Sequence, residues 1–239
     1  MKKYFERLYK KSAREYYIQL SKYLDNNIKK FIITANPETI KMASHDEVLD
    51  KELLNPENDI LPDGIAVVKV AKHYNIDIKE RITGYDTAVN LLELANQKKK
   101  SVYFFGAEEE VVSALKRVVK EKYPRLKILG ATNGYIENKD EEFERIVKLN
   151  PDVCLVALGI PMQEHLIAHH IKNAKKGIYV GVGGTFDVLS GTKKRAPKIF
   201  IKLNLEWLYR IVSEPSRLKR FYNNNIKFIL SVYFSKKDK

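Results

Sequence analysis

Ile178-Tyr179-Val180-Gly181-Val182-Gly183-Gly184-Thr185-Phe186-Asp187-Val188-Leu189-Ser190-Gly191-Thr192-Lys193-Lys194-Arg195-Ala196-Pro197 decides the fold of this chain. Its opening residues Ile178, Tyr179, Val180 and Val182 are β-branched or aromatic and read as a buried parallel strand. The strand runs straight into Gly183-Gly184, where no Cβ blocks the approach of a ligand. Strand ends of this kind border the crevice in which open α/β sheets hold ligands. Asp187 follows, then the cations Lys193, Lys194 and Arg195, closed by Pro197. Two readings stand: one wall of a site for a polar, phosphorylated ligand, or a Gly-rich strand-to-helix turn with a solvated basic loop.

Upstream, the same alternation repeats. Ser101 to Phe105 is a strand ending in Gly106-Ala107, followed by an amphipathic helix from Glu108 to Tyr123. Leu126 to Leu129 is a strand running on to Asn133-Gly134-Tyr135, with a helix from Asp140 to Leu149. Val153 to Leu158 is a strand ending in Gly159-Ile160-Pro161-Met162-Gln163-Glu164, with a helix to Asn173. Closer to the start, Phe31 to Ala35 is a short strand whose end carries Thr34 and Asn36, polar groups that either meet a ligand or cap the helix beyond Pro37. Strands alternating with helices over short connections predict a mostly parallel, Rossmann-like sheet with helices on both faces. Such a sheet places Asp63, Gly106, Tyr135, Gln163 and Gly183 along one rim.

Two acids precede helices. Asp63 is fixed between Pro62 and Gly64 at the mouth of an apolar helix, so its carboxylate is either an N-cap or a catalytic base. Asp86 precedes the helix Thr87 to Gln97 as its expected N-cap, which leaves Arg81 free for another task. An amphipathic packing helix is expected from Lys10 to Asn26.

The bounds are set by 239 residues, 44% hydrophobic and 31% charged, with a net charge of +13. The length suits one large α/β domain, and the charge predicts an acidic partner: nucleic acid, an anionic membrane surface or a phosphorylated substrate. The single cysteine, Cys154, sits in an apolar run and reads as a small buried hydrophobe, which rules out a disulfide framework or a Cys-based zinc site within the chain. No secretory signal and no run of ~18 apolar residues is expected. From Ile199 onward the texture changes: Phe200, Leu203, Trp207, Leu208 and Ile211 follow a helical period, and nine Lys or Arg between Lys193 and Arg220 face only Glu206 and Glu214. The division expected is an α/β core over 1–197 and a basic amphipathic helical appendage over 198–239, suited to an anionic membrane surface.

Several motifs fail. Phe186 occupies the position where the dinucleotide fingerprint needs glycine or alanine, and no Walker A pattern exists. His165 and His169 fall four apart on a helix with His170 beside them, but no third metal ligand is apparent nearby. The chain has no Asp-x-Asp to hold a divalent ion against a sugar-nucleotide diphosphate, so cationic side chains and backbone N–H groups are expected to bind any such group.

In combination, Thr34-Ala35-Asn36-Pro37-Glu38, Pro62-Asp63-Gly64, Arg81-Ile82-Thr83-Gly84-Tyr85-Asp86, Phe105-Gly106-Ala107, Gly159-Ile160-Pro161-Met162-Gln163-Glu164, Gly183-Gly184-Thr185-Phe186-Asp187, Lys194-Arg195-Ala196-Pro197 and Leu205-Glu206-Trp207-Leu208-Tyr209-Arg210 resemble the WecG/TagA/CpsF family of bacterial glycosyltransferases over nearly the whole chain. The resemblance implies an inverting transferase that moves an N-acetylmannosamine-type sugar from a UDP donor to a polyprenyl-diphosphate-linked acceptor, without a cofactor or a required metal, in teichoic acid, capsule or related polymer synthesis. It implies Asp63 as general base, and Thr34, Asn36 and Gln163 as groups that orient the sugars. Arg81 would meet a diphosphate; Tyr135 and Asp187 would hold uracil, with Gly106, Gly183 and Gly184 admitting the nucleotide close to the backbone. Arg195, Arg210, Arg217 and Arg220 would serve the leaving UDP, the lipid diphosphate or the membrane. The implied location is the cytoplasmic face of the inner membrane, with peripheral attachment, no nucleic acid, and an oligomer possible. Met1 to Lys30 departs from the family pattern, being basic and rich in tyrosine. The competing readings are transfer of a different UDP-hexose, and a non-catalytic basic module for nucleic acid or membrane.

Overall fold

The computed structural model describes residues 1–234. Six strands, β1 (Lys29–Ala35), β2 (Asp59–Pro62), β3 (Ser101–Gly106), β4 (Lys127–Thr132), β5 (Val153–Ala157) and β6 (Gly177–Gly181), form one sheet in the order β2-β1-β6-β5-β3-β4. Every pairing is parallel. All carboxyl ends therefore lie along one rim, where such sheets place their ligands.

The strands are apolar on both faces because helices cover both. Phe31, Ile33, Tyr103, Phe105, Cys154, Val156 and Tyr179 point into one core, while Ile32, Val102, Phe104, Val153, Leu155, Ile178 and Val180 alternate into the other. Cys154 is buried and free, and burial pushes its thiol up. At the rim opposite the site, the Asp152 carboxylate ties strands together. It accepts from the Ser101 N–H at 2.8 Å and from Lys176 Nζ at 2.6 Å, and these bonds, outweighing burial, hold its pKa below the ordinary carboxylate value.

Four elements differ from the sequence expectation. Ile60 and Leu61 belong to a strand, β2, and not only to the lead-in of a helix. The basic, tyrosine-rich start contains a short helix, Lys2–Arg7, whose Tyr4 and Phe5 enter the core. The third difference is the helix expected from Thr87, which starts at Gly84 and is capped by Thr83, whose side chain accepts from the Asp86 N–H; Asp86 is not the cap. Finally, the helical period after Ile199 is broken into Lys198–Lys202 and Glu206–Ser213, with Asn204 left-handed between them at φ 58°.

The described residues end in a helical run: Arg217–Phe221, a π-helical turn Tyr222–Ile226, and Lys227–Phe234. Phe228 and Val232 from its last helix enter the same core as Phe5, Tyr103 and Tyr179. No described helix is long and apolar enough to cross a membrane.

Candidate active site

The ends of β1, β2 and β6 meet through side chains. Thr34 Oγ1 donates to the Gly181 carbonyl at 3.2 Å. A Cβ on Gly84 would lie 3.4 Å from Thr34 Cγ2, so the first turn of the helix Gly84–Gln97 rests on that threonine. Asp63 follows β2 directly. Its N–H donates to the Ala35 carbonyl at 3.0 Å, extending the ladder by one residue, and its Oδ2 accepts from the Gly84 N–H at 3.3 Å. The helix after Asp63, Ile65–His73, is capped by Gly64 without a side-chain bond, so Asp63 does not cap it.

Asp63 is partly buried, and that burial raises its pKa above the ordinary carboxylate value. The Gly84 N–H and the charges of Arg210 and Arg81 act in the opposite direction, and Glu206 adds to the rise. The outcome is a carboxylate more basic than one in water, the direction that suits a general base.

Beside it lies an arginine cluster drawn from three segments. Arg81 donates to the Ile201 carbonyl at 3.3 Å and pairs with Glu206 at 3.6 Å. Arg210 pairs with Glu206 at 3.1 Å, and Arg195 lies 4.0 Å from it. Arg195 also pairs with Asp86 at 2.7 Å and stacks 3.9 Å over the Tyr85 ring. Arg81, Arg195 and Arg210, named separately in the sequence, thus share one carboxylate. The side chains of Arg217 and Arg220 lie outside the described residues.

On the other side of Gly181, Gln163 is buried and joins the Gly183 turn: its Oε1 accepts from the Gly183 N–H at 3.2 Å. Its Nε2 donates to Glu164 Oε1 at 2.7 Å. Gly183 is left-handed at φ 50° with open space where a Cβ would stand, and a Cβ on Gly184 would lie 3.6 Å from Asp187 Oδ2. Asp187 also faces Lys193 at 3.8 Å.

The remaining expected residues are placed differently. Asn36 caps the helix Pro37–Ala43, its Oδ1 accepting from the Thr39 N–H at 2.9 Å, so the capping alternative describes it. Gly106 is needed against its own sheet: at φ 124° a Cβ would come within 2.4 Å of the Ala157 carbonyl oxygen. Tyr135 is 75% exposed. The loop that carries it folds over the ends of β3 and β5: the Gly134 N–H donates to the Ala107 carbonyl at 2.8 Å, and a Cβ on Gly134 would lie 2.7 Å from Leu158 Cδ2. The structure therefore gathers Thr34, Asp63, Arg81, Gln163, Gly183, Arg195 and Arg210, and sets Tyr135 on the loop above the ends of β3 and β5.

The histidines are also redistributed. His165 bonds Asp46 at 2.8 Å and does not join His169. Contrary to the expectation of no third ligand, Asp140 stands with His169 and His170, their ligand atoms within 4.8 Å of one another. Buried His170 pairs with Asp140 at 2.9 Å and stacks on Phe143 with ring centres 5.4 Å apart, which accounts for its position by packing. This group lies at the far end of the helix Met162–His170 from Gln163.

Three participants carried no assigned role in the sequence: Gly84, Glu164 and Glu206. The signal for Glu206 was its place as one of only two acids among nine cations. Glu164 is 1% exposed, and its Oε2 has no partner among the described residues. Burial pushes its carboxyl up to about 7 from the ordinary 4.5. A group bound more tightly to its proton when folded stabilises the fold fully below the unfolded value and loses that contribution as pH rises through the folded one. Between pH 4 and pH 7 the loss for Glu164 amounts to about 3 kcal/mol. Denaturant unfolding of Glu164→Gln across this window is expected to show a correspondingly flatter profile than the parent; parallel profiles would contradict it.

A parallel α/β sheet carries a carboxylate of raised pKa and clustered guanidiniums at its carboxyl rim, and the enzyme built on it is a glycosyltransferase. The chain belongs to the WecG/TagA/CpsF family of glycosyl transferases, whose family model matches residues 7–239. It is 39% identical over 217 residues to an N-acetylglucosaminyldiphosphoundecaprenol N-acetyl-beta-D-mannosaminyltransferase of Bacillus subtilis, covering 91% of this chain and 84% of that protein. Proteins of the same description from Bacillus spizizenii and Staphylococcus aureus strain MW2 are 41% identical over 198 residues and 37% identical over 197. The matches cover 83% and 82% of this chain and 77% and 76% of those proteins.

Proposed function

We propose that this protein transfers an N-acetylmannosamine-type sugar from a UDP donor to N-acetylglucosamine carried on a polyprenyl diphosphate, with inversion and without a metal. The observation that carries the reading is Asp63: a carboxylate of raised pKa, within reach of the charges of Arg81 and Arg210. In the step, Asp63 takes the proton of the acceptor hydroxyl as its oxygen attacks C1 of the donor. The C1–O bond to the diphosphate breaks on the opposite face, so the anomeric configuration inverts. The electron pair leaves with UDP, and the guanidinium charge of Arg81, Arg195 and Arg210 stabilises it where charge builds up. The names of the relatives support the acceptor and the sugar transferred. The Gly183-Gly184 turn, Thr34 and Gln163 shape the donor end of the site, and Asp187 and Tyr135 remain the candidates for the uracil end.

Attachment to the cytoplasmic face of the membrane rests on the appendage. Ile199, Leu203, Val212, Leu218 and Tyr222 are exposed apolar or aromatic side chains set among Lys198, Lys202 and Lys219. Such a surface suits the headgroup boundary of an anionic bilayer, where each cation contributes about 1 kcal/mol.

The direct test incubates the protein with UDP-N-acetylmannosamine and a polyprenyl-diphosphate N-acetylglucosamine analogue, with and without EDTA. Turnover that persists with EDTA is expected; no product at all would overturn the reading. UDP alone is expected to raise the melting temperature, because a nucleotide at 100 times its Kd stabilises the native state by about 2.7 kcal/mol. Sedimentation with anionic but not zwitterionic vesicles checks the membrane arm.

A further inference from the structure

Glu206 has no part in the transfer as described, yet among the described residues it is the one carboxylate seen to approach Arg81, Arg195 and Arg210 together, at 3.6, 4.0 and 3.1 Å. Its side chain is 10% exposed, against 16% for Arg81, 27% for Arg195 and 54% for Arg210. Three guanidiniums from separate segments repel one another, and a shared anion offsets that repulsion most where water is scarce. Glu206 is also the first residue of the helix Glu206–Ser213. The carbonyl that Arg81 bonds, Ile201, belongs to the preceding helix of the same appendage. One core arginine is therefore held twice by the appendage, once by a backbone carbonyl and once by Glu206.

We infer that Glu206 is a positioning residue: it gathers the three arginines into a diphosphate-binding set and couples the seating of residues 198–213 to occupancy of the donor site. This rests on the transferase reading above. The coupling has a direction. An appendage seated through Glu206 presents Arg210 beside Arg81; an unseated one leaves Arg81 and Arg195 without their common partner. A diphosphate held by both halves then favours the seated form in proportion to its preference for that form.

The charges that Asp63 senses are those of Arg210, Arg81 and Glu206, and the last raises its pKa. Neutralising Glu206 therefore has a second consequence that simple loss of packing does not have: the acid limb of the pH–rate profile moves to lower pH.

The test uses the full chain. Glu206→Gln is expected to raise the KM for the UDP-sugar about tenfold, the size of one charge-assisted contact, with kcat at saturating donor changed less than twofold. The acid limb shifts downward, and Glu206→Asp restores part of the KM. Adding Glu206→Gln to Arg81→Ala is expected to cost little more than Arg81→Ala alone. A KM and an acid limb equal to the parent's, in a variant that melts like the parent, overturn the inference. Should Glu206→Gln not fold, the parent supplies the answer: UDP is expected to slow hydrogen exchange across residues 198–213, and protection of the strand ends without protection of that segment overturns it. Absence of both turnover and UDP stabilisation in the parent would remove the transferase reading and this inference together, whereas an active parent matched by Glu206→Gln removes this inference alone.

Discussion

Asp63→Asn is expected to transfer sugar about 10²–10⁴-fold more slowly than the parent while melting no lower, a pairing that separates a catalytic base from a structural carboxylate. Asparagine keeps the shape and still offers an oxygen to the Gly84 N–H, the bond that Asp63 makes at 3.3 Å. What it loses is the ability to take a proton. The stability half follows from the sign of the shift. Burial raises the Asp63 pKa, so the folded state favours the neutral carboxyl more than the unfolded chain does. Its contribution is complete below the ordinary value of 3.8 and is lost as pH rises through the raised one, above which the charged form is held at a cost. A neutral isostere removes that cost, the usual relation between a tuned site and fold stability. The same shift moves the acid limb of the parent's rate profile upward from that of a carboxylate in water. Stopped-time assays with radiolabelled donor and a thermal melt decide the matter: parental turnover, or a loss of rate matched by unfolding, removes Asp63 as base.

Phe228→Ala is expected to destabilise the protein by about 3–5 kcal/mol, the range for removing a buried phenylalanine. Phe228 lies in the last described helix, Lys227–Phe234, yet it is 1% exposed and stacks on Phe5 with ring centres 6.3 Å apart. Phe5 in turn contacts Tyr74 at 5.3 Å. The first and last described helices thus meet in one core with the helix Ile65–His73. A chain of this size loses roughly 2–4 °C of melting temperature per kcal/mol, so the shift is large and easily read by calorimetry. A single lowered transition supports a chain end integral to the core. A melting temperature within a degree of the parent's would place residues 198–234 in a unit of their own, as the division at 197 and 198 in the sequence proposes.

The strands at Phe31, Ser101, Val153 and Ile178 were legible because each is an apolar run ended by glycine or a polar turn, a pattern that records burial on both faces. β2 was not, because it has four residues, starts at Asp59 and ends at Pro62; only its pairing with Ile32 to Ala35 makes it a strand. Asp86 looked like a cap because it stands before an apolar period, but Thr83 lies three residues earlier and takes that place, which frees the carboxylate for Arg195. His165 and His169 shared a helical face on paper, and a partner from another helix, Asp46, separated them. Asn36 was left between ligand and cap, and its bond to Thr39 answers for the cap.

By itself, the sequence determined an α/β chain with strands buried on both faces, glycine-bearing strand ends, a net charge of +13 and a basic final segment. These are properties of local periodicity and composition, which a linear pattern contains in full. Only the tertiary structure decided the strand order β2-β1-β6-β5-β3-β4, the contact of Thr34 with Gly181, the N–H of Gly84 that faces Asp63, and the convergence of Arg81, Arg195 and Arg210 on Glu206. Each of these joins residues far apart in the chain. A side chain's period shows that it will be buried or exposed, but its partner is chosen by how the sheet and helices pack, and that choice fixes both the raised pKa of Asp63 and the meeting of three guanidiniums.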